Sequence, residues 1–318
     1  MDKNLYKKIR TQLDFKFRPI KFIEQMVIDL VFLYAVIYLL QTPVRWLAFF
    51  PVALFMFRHF SILHEAVHGL AHPSSRVNFW IGIVSGSFCL TPYLFWKIAH
   101  MKHHYWTGNL EQDPTFAILK SHKQFSERKR QFLNFCWQNK IPLLGFLQHI
   151  GFWSYFLKDV KAHPKSVDRW IGLAVPVLIW GTIFWQAKPS GSLIITAGII
   201  LYLYIAENMI VPQHVGLYSD DDPEMRLHPW EQIEITRTWH LPYLFEKFVV
   251  LNMNYHTEHH MFPDLPWHQL ANAHEMILQS EKTIPLTIAG SDWMSEHRQQ
   301  EFVDVIRPVA IKRRNEAA

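Results

Sequence analysis

Apolar runs of membrane-spanning length constrain this chain more than any other feature of its sequence. Residues 24–40, 46–63, 170–187 and 193–211 each come close to the roughly 20 residues that cross a hydrocarbon core. A break containing Pro43 separates the first two runs, and KPSGS, with the residues of a tight turn, separates the last two. The sequence therefore predicts an all-α membrane protein with four transmembrane helices in two hairpins.

Composition agrees with a single membrane-embedded domain over residues 1–318, preceded by a short basic segment, 1–23. Half of the residues are hydrophobic, and 13 Trp, 11 Tyr and 24 Phe suit the aromatic belts at a bilayer surface. The net charge of +5 comes with no fingerprint of a nucleic-acid-binding fold, so we expect contact with membrane lipid and none with nucleic acid. Cys89 and Cys136 form no CxxC pair and receive no role.

The distribution of basic residues predicts the orientation. Seven lysines and arginines precede the first run and Lys312, Arg313 and Arg314 lie in the tail, whereas each hairpin turn has one. The positive-inside rule then puts both termini in the cytoplasm, in the cell inner membrane if the source is bacterial. The charged N-terminus does not resemble a cleaved signal peptide. We expect the surroundings of His72, Ser121 and Glu258 to face the cytoplasm and KPSGS to face the other side.

Three further stretches need a separate interpretation. Residues 79–96 and 141–157 are apolar, but we expect neither to cross the membrane. The first contains Gly82, Gly86 and Pro92. A crossing there would put the histidines before it (His64 and His68) and those after it (His100, His103 and His104) on opposite sides of the membrane. An interfacial or re-entrant segment keeps them on one side and therefore fits better. The basic stretch 120–130 (KSHKQFSERKR) is either a solvated loop near anionic headgroups or a docking site for an acidic electron donor or carrier protein.

Three histidine clusters carry the chemical signal. They are HEAVH (His64, His68), HMKHH (His100, His103, His104) and HTEHH (His256, His259, His260). Residues at i, i+3 and i+4 lie on one helix face, so each cluster can present imidazoles to one point. Eight imidazoles exceed the ligands of one ion, so two metals are expected. A lone cluster could instead be an interfacial group satisfied by water, but the predicted topology puts all three clusters on one side.

The clusters and their flanks resemble the membrane fatty acid desaturase and hydroxylase superfamily, whose pattern is HxxxH, HxxHH, HxxHH. The resemblance runs from about Trp46 to His274. It is similar to the acyl desaturase branch at HMKHHYWTGNLEQDP, at TRT (236–238) and at NMNYHTEHHMFPDLPWHQL. It implies two helical hairpins beneath a cytosolic helical cap that holds a diiron site with two Fe ions.

The resemblance also implies residues around the eight box histidines. One further ligand is expected between the fourth span and the third box, and His214 in PQHVG matches best by position, although it could instead support a ligand. His240 is its competitor and His72 a weaker one. Asn208 and Asn254 could hold a metal-bound water or make ordinary polar contacts. Four carboxylates could orient imidazoles or be solvated: Glu65, Glu111, Asp113 and Glu258.

The activity implied is oxygen-dependent desaturation of a fatty acyl chain carried by coenzyme A, acyl carrier protein or lipid. A diiron hydroxylase or ketolase of an alkyl or carotenoid substrate is the alternative. Because neither an HPGG-type cytochrome b5 segment nor GxGxxG is present, electrons are expected from a ferredoxin or a cytochrome b5-type donor.

Two readings from other classes remain. HEAVH also satisfies HExxH, in which two histidines bind zinc and the glutamate is the general base of a protease. That reading leaves the other two clusters unexplained. A histidine-rich metal transporter would place its ligands near the bilayer midplane, whereas these clusters lie at or beyond the span ends.

Overall fold

The computed structural model describes residues 1–117, 125–218, 224, 226–280 and 292–306, and the backbone of 288–289 and 309–310. Ser121 and the rest of 120–124 lie outside these ranges. The α-helices up to residue 214 are α1 (Lys3–Gln12), α2 (Pro19–Leu40), α3 (Phe49–Val67), α4 (Ser75–Phe88), α5 (Tyr93–Trp106), α6 (Glu127–Gln138), α7 (Leu143–Ala162) and α8 (Val167–His214). The α-helices after it are α9 (Tyr243–Phe245), α10 (His256–Met261), α11 (Leu270–Ser280), α12 (Trp293–His297) and α13 (Phe302–Val305).

Three of the helical stretches are long and apolar enough to cross a bilayer: Pro19–Leu40, Arg45–Val67 and Val167–His214. The second joins a 3₁₀ turn at Arg45–Ala48 to α3. A fourth candidate exists if α4 and α5, which meet at a bend of 101°, form one broken span. Among the described residues α7, which contains all but the first two residues of the apolar stretch 141–157, is not a candidate. The helical content and these apolar helices confirm the predicted class, an all-α membrane protein.

Helix α8 contains the two apolar runs that flank KPSGS. Its regular backbone breaks at Lys188, which has φ 57° and ψ 174°. The indole of Trp180, before the break, donates to the carbonyl of Ser87, while the hydroxyl of Tyr202, after it, donates to that of Cys89. If α8 were straight, Trp180 and Tyr202, which are 22 positions apart, would lie about 33 Å from each other. Both arms therefore fold back against the end of α4.

The core between these helices is apolar and brings α3, α4 and α8 together. Met56, Phe57 and Leu63 of α3 pack in one cluster with Ile83 of α4 and Leu203 of α8. Because lipid tails are as apolar as these side chains, the contact is stabilised by close van der Waals packing and not by removal from water. Close packing allows α3 to hold its C-terminal histidines at a fixed position.

The basic N-terminal segment contains an amphipathic helix, α1, which was not predicted from the sequence. Asp2 caps α1 by accepting from the backbone N–H of Asn4 and Leu5. Tyr6 stacks on Phe262 with ring centroids 4.9 Å apart. Because Phe262 directly follows α10, α1 braces the helix of the third histidine cluster.

Irregular backbone precedes that same helix. A π-helical turn, Glu246–Val250, ends in two residues with left-handed φ, Leu251 (49°) and Asn252 (54°). Non-glycine residues in this region are strained and tend to occur at functional sites. Asn252 donates to the carbonyl of Trp267, 3.1 Å away, which holds the turn.

Strands are minor in the described part of the chain. β1 (Leu217–Tyr218) pairs in parallel with β4 (Val309–Ala310), Leu217 opposite Val309. β2 (Thr238–Trp239) pairs in parallel with β3 (Ile288–Ala289), Thr238 opposite Ile288. These bridges attach the C-terminal backbone to the segments that flank the site.

Candidate metal centre

The box histidines and His214 converge into two groups. The members of each group place one ring nitrogen each within 4.8 Å of one another. The five-histidine group consists of His64, His68, His100, His104 and His259, and the four-histidine group of His103, His214, His256 and His260.

Helix geometry explains how adjacent histidines join different groups. Successive residues on a helix are about 100° apart, whereas residues at i and i+4 differ by about 40°. On α5, His100 and His104 therefore enter the five-histidine group, and His103 points to the other. On α10, His256 and His260 enter the four-histidine group while His259 points to the first. Helices α5 and α10 thus lie along the boundary between the two groups.

The nitrogens within each group lie at the separations of ligands around an ion. In the five-histidine group, His100 Nε2 lies 2.9 Å from His68 Nε2 and 3.0 Å from His104 Nε2. His259 Nε2 lies 3.0 Å from His104 Nε2. In the four-histidine group, His214 Nε2 lies 3.0 Å from His103 Nε2 and 2.6 Å from His256 Nε2.

Burial keeps these imidazoles in the form that binds metal. Loss of solvent, together with repulsion among neighbouring histidines, holds the pKa values of His256, His259 and His260 well below their usual range. Neutral imidazole is the ligand form, because a protonated ring has no free lone pair. The imidazoles of the third box are thus neutral around physiological pH.

Two polar side chains orient rings of the four-histidine group. The Asp113 carboxylate accepts from His103 Nδ1 at 3.0 Å, and Gln232 Oε1 accepts from His260 Nδ1 at 2.8 Å. In each case the proton stays on Nδ1 and the Nε2 lone pair faces the group. Burial alone would raise the pKa of Asp113, but the attraction of His103 and hydrogen bonds lower it overall, which keeps the carboxylate ionised.

Glu258 and Glu65 have other hydrogen-bond partners than the box imidazoles in the described part of the chain. Glu258 accepts from Thr238 Oγ1 and from His274 Nδ1, each at 2.5 Å. Glu65 accepts from the backbone N–H of Trp267 at 3.3 Å. The backbone N–H of Glu111 donates to Asn109.

Neither competitor of His214 joins a group. His240 packs edge-on to His274, 5.5 Å between centroids, and His72 packs edge-on to Phe17 and Phe22.

The two asparagines suggested as holders of a metal-bound water have other partners. Asn208 donates to the carbonyl of Tyr204, and Asn254 to Trp239 and Glu246. The buried Oδ1 of Asn254 has no hydrogen-bond partner within the described ranges.

A cavity of about 120 Å³ reaches histidines of both groups. Five of them line it: His64, His100, His103, His214 and His256. Its apolar walls include Phe60, Trp96, Phe152, Ile210 and Met253. Apolar side chains and imidazoles of both groups therefore border the same space.

Two of the residues around the groups were not predicted from the sequence. Trp96 stacks on His100, with centroids 4.5 Å apart and planes 13° apart. Gln232 lies 24 residues before the third box, in a segment without a recognisable motif. For Trp96, its position one turn before His100 was a usable signal, since residues at i and i+4 are neighbours on a helix. Gln232 offered none.

Fold and site together define a helical membrane protein with two adjoining histidine groups that could hold metal ions. A family model described as "Fatty acid desaturase" matches residues 40–287. This range exceeds half of the chain, and the chain belongs to the fatty acid desaturase family. The superfamily predicted from the histidine boxes is confirmed.

Curated relatives carry related names at low identity. The "sn-1 acyl-lipid omega-3 desaturase (ferredoxin)" of Synechocystis sp. is 24% identical over 79% of this chain and 68% of its own length. The "Omega-3 fatty acid desaturase, endoplasmic reticulum" of Vigna radiata is 24% identical over 72% and 63%. A "Fatty acid desaturase" of Bacillus subtilis is 25% identical over 70% and 64%. The chain thus spans slightly less than two thirds of the last two relatives.

Proposed function

We propose that this protein is an oxygen-dependent diiron desaturase that introduces a double bond into a fatty acyl chain. The observation that carries the proposal is the pair of adjoining histidine groups sharing one partly apolar cavity. The names of the relatives, all fatty acid desaturases, support the same reaction class and an acyl substrate.

The donor set fits metal ions. His64 has neither ring nitrogen hydrogen-bonded within the described ranges, and the same holds for Nε2 of His260, although all three atoms are buried. A buried polar atom without a partner costs about 1–3 kcal/mol, which a metal bond would remove. The ligands we propose are the nine histidines of the two groups.

Ligand number in the five-histidine group supports iron over tetrahedral zinc. Zinc sites in proteins take four ligands almost always, and this group offers five.

Once bound, iron would activate oxygen for removal of hydrogen from an unactivated C–H bond. The balanced reaction takes one hydrogen from each of two adjacent carbons and reduces O₂ to two waters with two electrons and two protons from outside. The protein would position the acyl chain in the cavity. Phe60, Phe152 and Ile210 line the cavity, where they would contact the acyl chain and exclude water. His100 of the five-histidine group and His214 of the four-histidine group would face the same acyl chain. Asp113 and Gln232 hold the ring tautomers.

The protease alternative is disfavoured by the position of Glu65. A general base must reach the water on the metal, yet Glu65 accepts from Trp267 and does not line the cavity that contains His64. The hydroxylase or ketolase alternative stays open, since the same site would serve both reactions.

For the membrane arrangement we propose four spans in two hairpins, with α8 folded at Lys188 and the bent pair α4–α5 re-entrant. The site then faces the cytoplasm beneath a helical cap built from α9 to α13, in the inner membrane if the source is bacterial. The ferredoxin and acyl-lipid in the Synechocystis relative's name favour a ferredoxin and a lipid-linked chain. A cytochrome b5-type donor and acyl-coenzyme A or acyl carrier protein remain alternatives.

The test is to express the chain in a host that lacks acyl desaturases and analyse its acyl chains by mass spectrometry, with His259→Ala as control. We expect acyl chains that are lighter by two hydrogens in the host that expresses the wild-type protein, and no such acyl chains in the host that expresses His259→Ala. An added oxygen atom instead would establish the hydroxylase. Unchanged acyl chains and a free hydroxylated or ketolated carotenoid would reject an acyl substrate.

A further inference from the structure

A second, larger cavity of about 340 Å³ lies on the other face of α3. Phe60 and His64 line the histidine cavity, whereas His59, Ile62 and Glu65 line this one. At about 100° per residue these two sets point to opposite sides of the helix. No histidine of the two groups lines the second cavity, so it is separate from the proposed reaction site.

The cavity opens along the groove between α2 and α4 and has an apolar body. Met26 of α2 and Trp80 and Val84 of α4 line it while 52%, 45% and 38% exposed respectively. These side chains sit on helices whose outer surfaces are apolar. Along α2 the lining runs from Arg18 to Asp29, about 16 Å of helix axis. Such a groove accommodates hydrocarbon entering from the bilayer.

One end of the cavity is basic. Arg18 and Lys21 line it at the start of α2, where a span emerges from the membrane. Arg18 is paired with Asp14, and Lys21 with Glu24 at 2.7 Å. An arginine has five N–H donors and a lysine three, so each keeps donors for an anionic group after these bonds.

Deeper in the cavity, two polar nitrogens lack partners. Gln25 and His59 both line the cavity and are each 7% exposed. Neither Gln25 Nε2 nor His59 Nε2 has a hydrogen-bond partner in the part of the chain that the structure describes. The other ring nitrogen of His59 lies 3.2 Å from Ser85 Oγ, and Gln25 Oε1 accepts from Arg58. A buried donor left unpaired is costly, so Gln25 Nε2 indicates a ligand with an acceptor at this depth. His59 Nε2 is a second donor in the tautomer in which Nδ1 accepts from Ser85 Oγ.

We propose that this cavity binds one anionic glycerophospholipid. The phosphate headgroup would lie at Arg18 and Lys21, an ester carbonyl would accept from Gln25 or His59, and an acyl chain would lie along Met26, Trp80 and Val84. Gln25 lies one turn beyond Lys21, about 6 Å further along the axis. Polar groups at two depths suit a glycerolipid, which has a phosphate and separate ester carbonyls, better than a free fatty acid, whose polar atoms lie at one end.

The test measures lipid bound to detergent-purified full-length protein. Delipidated protein is incubated with micelles containing equal phosphatidylglycerol, phosphatidylcholine and palmitate, repurified, and analysed by quantitative mass spectrometry. Wild type should retain phosphatidylglycerol at about one per chain and show a higher Tm with it than with phosphatidylcholine. Arg18→Ala/Lys21→Ala should lose about tenfold in retention.

The matched control is Lys7→Ala/Lys8→Ala, which removes the same charge from exposed positions of α1 outside the cavity. It should retain phosphatidylglycerol as wild type does. Val84→Trp fills the cavity without changing charge and should also lose the lipid, which keeps the test decisive if the double variant does not fold. Equal retention by all variants would indicate surface lipid and overturn the proposal. Preference for palmitate or phosphatidylcholine would overturn it too.

Because lipid retention does not depend on metal or oxygen, the result is independent of the desaturase proposal.

Discussion

Gln232 connects the two histidine groups. Its Oε1 lies 2.8 Å from His260 Nδ1 in one group, and its Nε2 donates to the backbone carbonyl of His104, which belongs to the other, at 3.3 Å. Gln232 is only 3% exposed, so water molecules do not compete for these hydrogen bonds. One side chain therefore fixes a ring tautomer in the four-histidine group and the position of α5 beside it.

Replacing Gln232 with Leu should lower metal affinity about 10–100-fold, the usual effect of removing a partner that orients a ligand. The measurement is iron per chain during titration with a chelator. Gln232→Glu keeps the acceptor for His260 Nδ1 and should hold iron better than Gln232→Leu. If both variants bound iron as wild type does, Gln232 would have only a packing role.

His214 and His240 give a second comparison. His214 lies 3.0 Å from His103 Nε2, whereas His240 packs against His274. We expect His214→Ala to lose iron from the four-histidine group and to lose activity, and His240→Ala to retain the metal content of wild type. Metal analysis of both purified variants tests this. The reverse pattern would identify His240 as the ninth ligand and show that the described arrangement of the group is wrong.

How far the sequence predicts this site depends on how local each interaction is. The apolar runs predict the long helices because burial in lipid needs continuous hydrocarbon, and i, i+4 spacing predicts histidine pairs on one helix face. The division of His103 and His104 between groups depends on how α5 is rotated against α10, which is set by tertiary packing. Gln232 reaches its partners from 28 and 128 residues away, so no local pattern marks it.

The packing of the N-terminal segment was missed for a similar reason. Its lysines and arginines predicted only a short basic segment, 1–23, but Tyr6, Ile9 and Leu13 form an apolar stripe that is buried against Phe262 and Leu265. The stripe is short, and only the presence of its partner surface distinguishes it from a solvated helix.

A buried ion pair predicts a stability effect outside the site. Arg298 donates to Glu207 at 3.0 Å, the two residues being 5% and 3% exposed, and Glu207 also accepts from the N–H of Leu144. Arg298→Met leaves the buried Glu207 carboxylate without its cationic partner and should cost about 3–5 kcal/mol. Arg10→Met, which breaks the exposed pair with Asp264, should cost about 1 kcal/mol or less.

Thermal unfolding in detergent with metal content held equal measures both variants. Equal Tm losses would show that the buried Arg298–Glu207 pair stabilises the fold no more than the exposed Arg10–Asp264 pair does.

The topology is tested with single cysteines in a background where Cys89 and Cys136 are replaced by Ser. Ser74→Cys and Ser295→Cys, both exposed, should react with a membrane-impermeant maleimide only after the cells are opened. Ser190→Cys, at the break in α8, should react in intact cells. Labelling of Ser74→Cys and Ser295→Cys from opposite sides would contradict the re-entrant arrangement of α4–α5 and a common metal site.

Metal content measured together with donor-dependent oxygen uptake tests the central claim most directly. The two groups predict about two iron ions per chain in wild type, and less iron with no oxygen uptake in His259→Ala, which removes a ligand of the five-histidine group. Glu65→Gln should keep its iron, since Glu65 accepts from Trp267 and contacts no box imidazole in the bonds described. One zinc per chain, no iron and an active His259→Ala protein would contradict the diiron desaturase.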